Sequence, residues 1–161
     1  MVLIITGAAE LGRNTVGRLL AEALGWEFVD AENLHPPANL DARRCSTLLA
    51  NADPTLRIET LSAAINFWIY EWRDVVVSCP MLTERDRRQL SKMSSLVKIV
   101  CLEASAATGR TPVLDRSGRV VRSEFAAGWQ AAREPGQDVL MVDSSRQVEE
   151  IIAEIMAVLM M

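Results

Sequence analysis

The chain is poor in the residues that build metal sites and disulfides. Its 161 residues include one histidine and three cysteines, and Cys45, Cys79 and Cys101 lie far apart with no CxxC pair. An odd number of widely spaced cysteines without neighbouring histidines argues against a disulfide framework and against a zinc site. We therefore expect reduced thiols, a cytoplasmic location, and a buried Cys79 at the end of a predicted strand.

Excess positive charge and long apolar runs are also missing. The formal net charge is -4, which predicts no general attraction to nucleic acid or to an anionic membrane surface. The apolar run Val2–Thr6 ends at Gly7, and 151–161 is too short to span a bilayer, so neither a signal peptide nor a membrane span is expected. These absences leave small molecules and proteins as the expected partners.

Two kinds of segment alternate along the chain. Apolar runs rich in β-branched residues occur at Val2–Thr6, Trp26–Val29, Val75–Ser78, Val97–Leu102 and Val139–Val142. Helical periodicity separates them, at Asn14–Leu24, Pro54–Glu71, Thr83–Met93, around Arg122–Arg133 and at Ser145–Met160. Strands that are apolar on both faces and alternate with helices indicate a covered parallel sheet. We expect an α/β fold in a single domain over 1–161, a three-layer α/β/α sandwich with a five-stranded parallel sheet.

Local signals add detail to two of these helices and to one tryptophan pair. Thr83 and the pair Ser144-Ser145 are short polar residues that predict helix N-caps. Trp68 and Trp72 lie four residues apart, the spacing of neighbours on one helix face. We expect both indoles to pack in the core rather than to stack on a base.

The segment after the first strand has the pattern of a phosphate-binding turn. It comprises Gly7, Ala8, Ala9, Glu10, Leu11, Gly12, Arg13, Asn14 and Thr15. Its length and glycine spacing are those of the phosphate loop GxxxxGK[ST], in which backbone N–H groups at a helix N-terminus cradle phosphate oxygens. Arg13 stands at the lysine position, and Asn14 stands where the magnesium-binding hydroxyl is expected. The pattern predicts a nucleotide-dependent kinase, and its resemblance to the phosphate loop implies a P-loop NTPase fold of the nucleoside- and shikimate-kinase type.

A second segment is more specific. Residues 26–40 read W-E-F-V-D-A-E-N-L-H-P-P-A-N-L, and Leu34–Asn39 match the end of F-x-D-G-D-D-L-H-P-P-A-N, the signature of the gluconate kinases, which this chain resembles. Looser similarity continues at 75–82, 123–125 and 134–135, so the resemblance covers essentially the whole chain. Shikimate kinases share the architecture and the F-x-D-x-D strand end, but not L-H-P-P-A-N.

The resemblance implies ATP-dependent phosphoryl transfer to a hydroxyl of a small polyhydroxy acid, gluconate-like or shikimate-like, with ATP and Mg²⁺ as cofactors. Asp30 would engage the acceptor hydroxyl and hold Mg²⁺ together with Asn14, while Arg13 would neutralise the outer phosphates. The implied substrate-binding residues are Asp30, Glu32, His35, Arg57 and Arg87. A shortened lid at about 104–122 would bring Arg110 and Arg116 over the phosphates.

The residues leave alternatives open. Glu10 inside the loop, Asn14, Glu84 in place of a basic residue and the short lid favour a kinase relative that acts as a ligand-binding or protein-binding module. The L-H-P-P-A-N match favours a retained substrate pocket instead. Asp30 could also serve only as the N-cap of the next helix. A homodimer is a further alternative, based on the family and on an apolar stripe of the Pro54–Glu71 helix.

Overall fold

The computed structural model describes residues 1–7, 12–34, 54–80, 82–103 and 139–160. Within these ranges the strands are β1 (Val2–Thr6), β2 (Glu27–Asp30), β3 (Val75–Cys79), β4 (Val97–Glu103) and β5 (Val139–Asp143). The α-helices are α1 (Arg13–Leu24), α2 (Pro54–Tyr70), α3 (Glu84–Ser91) and α4 (Val148–Leu159). A short 3₁₀ helix, Ala31–Asn33, follows β2 directly. The predicted helix around Arg122–Arg133 lies outside the described residues.

The strands form one parallel sheet in the order β2-β3-β1-β4-β5. One face of the sheet packs on α2 and α3 through Leu61, Ile65 and Leu90. The other face packs on α1 and α4 through residues such as Leu20 and Ile155. Both faces are covered because the strand residues are apolar on both sides, which confirms the predicted three-layer fold.

Four of the five strands end one residue later than the apolar runs that predicted them. β2, β4 and β5 each include one polar residue at the C-terminal end, namely Asp30, Glu103 and Asp143. Asp30 is in register with Ser78, and Glu103 is in register with Asp143. Backbone hydrogen bonds, which do not depend on side-chain polarity, decide where a strand ends. This places polar side chains along the C-terminal edge of the sheet, where open α/β folds bind ligands.

The two predicted N-caps have different outcomes. Thr83 does cap α3, because its hydroxyl accepts from Asp86 N at 3.1 Å and its own N–H donates to Asp86 Oδ2 at 3.1 Å. The prediction for Ser144-Ser145 is wrong, since α4 begins at Val148 after Gln147. Ser144 N and Oγ instead donate to Glu103 O, both at 2.8 Å. The serines therefore hold the turn after β5 against the end of β4.

The expectation for the two tryptophans is confirmed only for Trp68. Trp68 is 4% exposed, whereas Trp72 is 88% exposed. Helix α2 ends at Tyr70, and Trp72 adopts a left-handed backbone with φ 55. Trp72 N donates to Ile69 O at 3.1 Å and Arg73 N donates to Trp68 O at 2.9 Å, as in a Schellman helix end. The left-handed turn breaks the helical spacing and leaves the Trp72 indole in solvent.

Gly17→Ala is expected to lower the free energy of unfolding. An added Cβ at Gly17 would lie 2.7 Å from Cε2 of Phe28, whose ring also has the Arg18 guanidinium 4.9 Å from its centroid. Overpacking costs about 1–3 kcal/mol, against a gain in helix propensity of about 1 kcal/mol. Urea unfolding should therefore show a net loss of about 1 kcal/mol. The loss should vanish in a Phe28→Leu background, and an equal loss there would contradict the packing argument.

Candidate active site

Helix α1 begins at the glycine-rich turn with an uncapped N-terminus. Gly12, with φ 76, precedes the helix, no side-chain hydrogen bond caps it among the described residues, and its first turn contains no acidic residue. The first-turn N–H groups carry partial positive charge, which suits an anion. At the other end of the turn, Gly7 has φ 142, and a Cβ there would lie 2.8 Å from Leu102 O. Residues 8–11, including Glu10, lie outside the described ranges.

The side chain of Arg13 reaches back to Gly7, the first residue of this turn. It is 6% exposed, and its Nη1 donates to Gly7 O at 2.7 Å. Its Nη2 is 3.7 Å from Oε1 of Glu32, and its Nε is buried with no hydrogen-bond partner among the described residues. A buried donor without an acceptor costs about 1–3 kcal/mol. The cation at the lysine position thus holds the residue that follows β1 and has one donor without a partner among the described residues.

Asp30, the last residue of β2, accepts hydrogen bonds from two residues that lie near Arg13. Its Oδ1 accepts from Glu32 N at 3.0 Å, so Asp30 does cap the Ala31–Asn33 helix. Its Oδ2 accepts from Nδ2 of Asn14 at 3.2 Å. Both carboxylate oxygens are therefore held by neutral donors, and the carboxylate sits beside the first turn of α1. Its predicted role toward an acceptor hydroxyl is compatible with the capping role and stays a prediction.

Ser78 completes this arrangement, and the sequence analysis did not select it. Its hydroxyl donates to Oδ1 of Asn14, and its side chain is fully buried. The available signal was a polar residue near the end of an otherwise apolar strand next to β1. Because an ionised carboxylate only accepts hydrogen bonds, Asn14 must present its NH₂ group to Asp30 and its carbonyl to Ser78. An N–H donor of Asn14 faces Asp30 here, so joint binding of Mg²⁺ by these two side chains would need the Asn14 amide to turn, and it stays a prediction.

Cys79, the last residue of β3, lies near several of the predicted site residues. It is 6% exposed, as expected, and burial raises the pKa of its thiol to about 12. Arg13 and Arg57 both lie near enough for their positive charges to oppose that rise in pKa, and Glu32 acts in the other direction. Arg13, Glu32 and Arg57 thus all lie within electrostatic range of the thiol at the end of β3. Substrate contacts by Glu32 and Arg57 stay predictions.

Arg87 lies at a different part of the C-terminal edge of the sheet, beside β4. Its Nη1 is 3.5 Å from Sγ of Cys101 on β4, which β1 and β3 separate from β2. Glu103, two residues further along β4, has a buried Oε1 without a hydrogen-bond partner among the described residues. Burial raises the pKa of Glu103 to about 7, and the nearby Arg87 guanidinium opposes this. The sequence pattern gave no signal for Glu103, because the apolar run Val97–Leu102 ends one residue before it.

Glu103→Gln is expected to stabilise the protein at high pH alone. The pKa of Glu103 is about 7 in the folded protein and near the ordinary 4.5 when unfolded. The folded state therefore binds more protons between these values, so wild-type stability falls as pH rises through this window and then levels off. Glutamine cannot ionise, so the urea midpoints should agree near about pH 4.5 and the variant should be the more stable above about pH 7. An equal difference at both pH values would contradict the ionisation of a buried Glu103.

Other predicted site residues, His35, Arg110 and Arg116, lie outside the described residues. Within the described ranges, no helix is long and apolar enough to cross a membrane. The same part of the chain contains no group of three or more His, Cys, Asp or Glu side chains arranged to hold a metal.

Comparison with known proteins shows which kinases the chain is similar to. No protein-family model matches the chain. The gluconokinase of Gluconobacter oxydans (strain 621H) is 24% identical over 156 residues, covering 95% of this chain and 88% of that protein. The probable gluconokinase of Mus musculus is 26% identical over 180 residues, covering 98% and 97%. The chain is a gluconokinase-like P-loop kinase.

Solved structures support the same conclusion for this gluconokinase-like chain. A gluconokinase from Sinorhizobium meliloti 1021 aligns with TM-score 0.58 and 25% identity, covering 97% of this chain and 89% of that one. The shikimate kinase of Aquifex aeolicus vf5 aligns with TM-score 0.58 and 18% identity, covering 99% and 96%, which shows the shared fold. These relatives support a small-molecule kinase and do not favour the binding-module alternative. The family implies ATP and typically Mg²⁺.

Proposed function

We propose that the chain transfers the outer phosphoryl group of ATP to a hydroxyl of a small polyhydroxy acid, with gluconate as the first candidate. The observation that carries the proposal is that a buried arginine and a carboxylate both lie at the N-terminal end of α1. Arg13 lies at the uncapped start of α1, and Asp30 lies beside the same helix turn. This arrangement occurs in a chain similar over almost its whole length to proteins named gluconokinase.

The turn from Gly7 to Thr15 binds the phosphates through N–H groups at the start of α1. Arg13 supplies the charge that lysine supplies in the common pattern. Glu32, 3.7 Å from Nη2, balances the guanidinium charge in the free protein. Arginine binds phosphate oxygens through a planar fork, which favours one orientation of the outer phosphate.

The acceptor hydroxyl donates to Asp30, which orients it and takes its proton as the phosphoryl group is transferred. Glu32, His35, Arg57 and Arg87 are the proposed contacts to the polyhydroxy acid. Arg110 and Arg116 from the lid exclude water, so that ATP is not hydrolysed. Mg²⁺ bound with ATP neutralises charge on the phosphates. The protein is further proposed to act in the cytoplasm, without nucleic-acid or membrane partners, and as a homodimer.

Calorimetric titration with MgATP, repeated with gluconate present, tests the proposal. Micromolar binding that strengthens with gluconate, followed by mass-spectrometric detection of a phosphorylated acid, would support it. Shikimate in parallel tests the competing acceptor. Absence of nucleotide binding at millimolar ATP would overturn the proposal.

A further inference from the structure

Ser78, Asn14 and Asp30 come from three elements and form one hydrogen-bonded row. Asp30 is the register partner of Ser78 on the neighbouring strand, so both lie at the same position along the sheet. Asn14, in the first turn of α1, contacts both of them. Ser78 is fully buried, so its hydroxyl has no solvent to bind and is committed to Asn14. The row therefore links the phosphate-turn helix to the carboxylate at the end of β2.

The row has a fixed direction. Asp30 can only accept hydrogen bonds when ionised, so the amide of Asn14 turns its NH₂ group toward Asp30. The amide carbonyl then faces Ser78, which donates its hydroxyl proton. Without that hydroxyl, the Asn14 carbonyl has no donor and the amide loses one of the two contacts that fix its orientation. Ser78 thus acts on Asp30 through Asn14 and without touching it.

We propose that Ser78 and Asn14 are positioning residues that hold the Asp30 carboxylate for the acceptor hydroxyl, an inference that rests on the kinase function proposed above. Asn14 holds Oδ2 at 3.2 Å and the N–H of Glu32 holds Oδ1 at 3.0 Å, so rotation of the carboxylate is restricted. In the common phosphate loop a hydroxyl at this position binds Mg²⁺. Here a neutral amide backed by a buried serine makes a direct link to the carboxylate instead.

Turnover of Ser78→Ala with ATP and gluconate tests the inference. Misplacing a reacting group by about 1 Å can cost about 100-fold, so kcat should fall about 10- to 100-fold while KM for both substrates changes less than about threefold. Ser78→Thr keeps the hydroxyl and should recover most of kcat. The matched control is Ser62→Ala, which removes a hydroxyl on α2 that has no hydrogen-bond partner in the described part of the chain and should leave kcat unchanged. Unchanged kcat in Ser78→Ala would overturn the inference.

A second measurement needs no turnover. In ligand-free, ¹⁵N-labelled protein, the side-chain amide protons of Asn14 should exchange with water faster in Ser78→Ala than in the wild type or in Ser62→Ala. Unchanged exchange would overturn the positioning role whatever the activity. Wild-type protein that turns over no acceptor would defeat the proposed function, while faster exchange in Ser78→Ala would still support the orientation of Asn14 by Ser78. The two failures are therefore distinguishable.

Discussion

Replacing Arg13 with alanine should lower kcat/KM for ATP by about 1000-fold, comparable to the loss of a charge that stabilises phosphoryl transfer. Arg13 is the one buried arginine among the described residues, and it contacts both the phosphate turn and Glu32. Alanine removes the cation and also frees the Gly7 carbonyl. The expected loss therefore combines weaker phosphate binding with a less ordered turn, and calorimetry with ATP should show the weaker binding.

Two further variants separate charge from geometry. Arg13→Lys keeps the charge, but a single ammonium group lacks the planar fork that contacts Gly7 and approaches Glu32 together. We expect it to retain activity within about tenfold of the wild type, since the common phosphate loop carries lysine here. Arg18→Ala removes an exposed cation from the same helix and is the matched control. Equal losses in Arg13→Ala and Arg18→Ala would mean that general positive charge, and not the position of Arg13, matters.

The fold was predictable from the sequence because burial on both faces leaves a clear pattern. Each predicted strand is present, and the central run Val2–Thr6 is apolar since neither of its faces meets water. The errors occur at strand ends, where the polarity of a side chain does not indicate whether its backbone still belongs to the strand. Asp30 and Glu103 belong to strands that the apolar pattern ended one residue early. One of those polar ends, Asp30, belongs to the candidate site.

The site was predictable in position but not in its contacts. The glycine spacing located Arg13 and Asn14, because a phosphate turn needs glycine at fixed points. It could not reveal that Arg13 binds the carbonyl of Gly7 or that Asn14 binds a serine 64 residues away in the sequence. Such partners depend on how strands are ordered in the sheet. Only the parallel register of β2 and β3 brings Ser78 beside Asp30.

Asp30→Asn should lower kcat by about 100- to 10,000-fold, the range expected for loss of a proton acceptor, with little change in ATP affinity. The variant keeps an oxygen to accept from Glu32 N, so the start of the Ala31–Asn33 helix is preserved. It replaces the acceptor that Asn14 needs with an amide group. Steady-state kinetics with calorimetry of ATP binding and a melting curve measure these effects separately.

The matched control for Asp30→Asn is Asp86→Asn, because Asp86 is also a carboxylate that accepts from a backbone N–H at the start of a helix. Asp86→Asn should leave kcat near the wild-type value, since its partner is the N–H of Thr83, the N-cap of α3. If Asp30→Asn kept full kcat and stability, Asp30 would serve only as an N-cap. Glu32 would then be the next carboxylate to test, because it lies within 3.7 Å of the Arg13 guanidinium and its side chain is 42% exposed. A loss of kcat in Asp30→Asn alone would instead locate proton transfer at the end of β2.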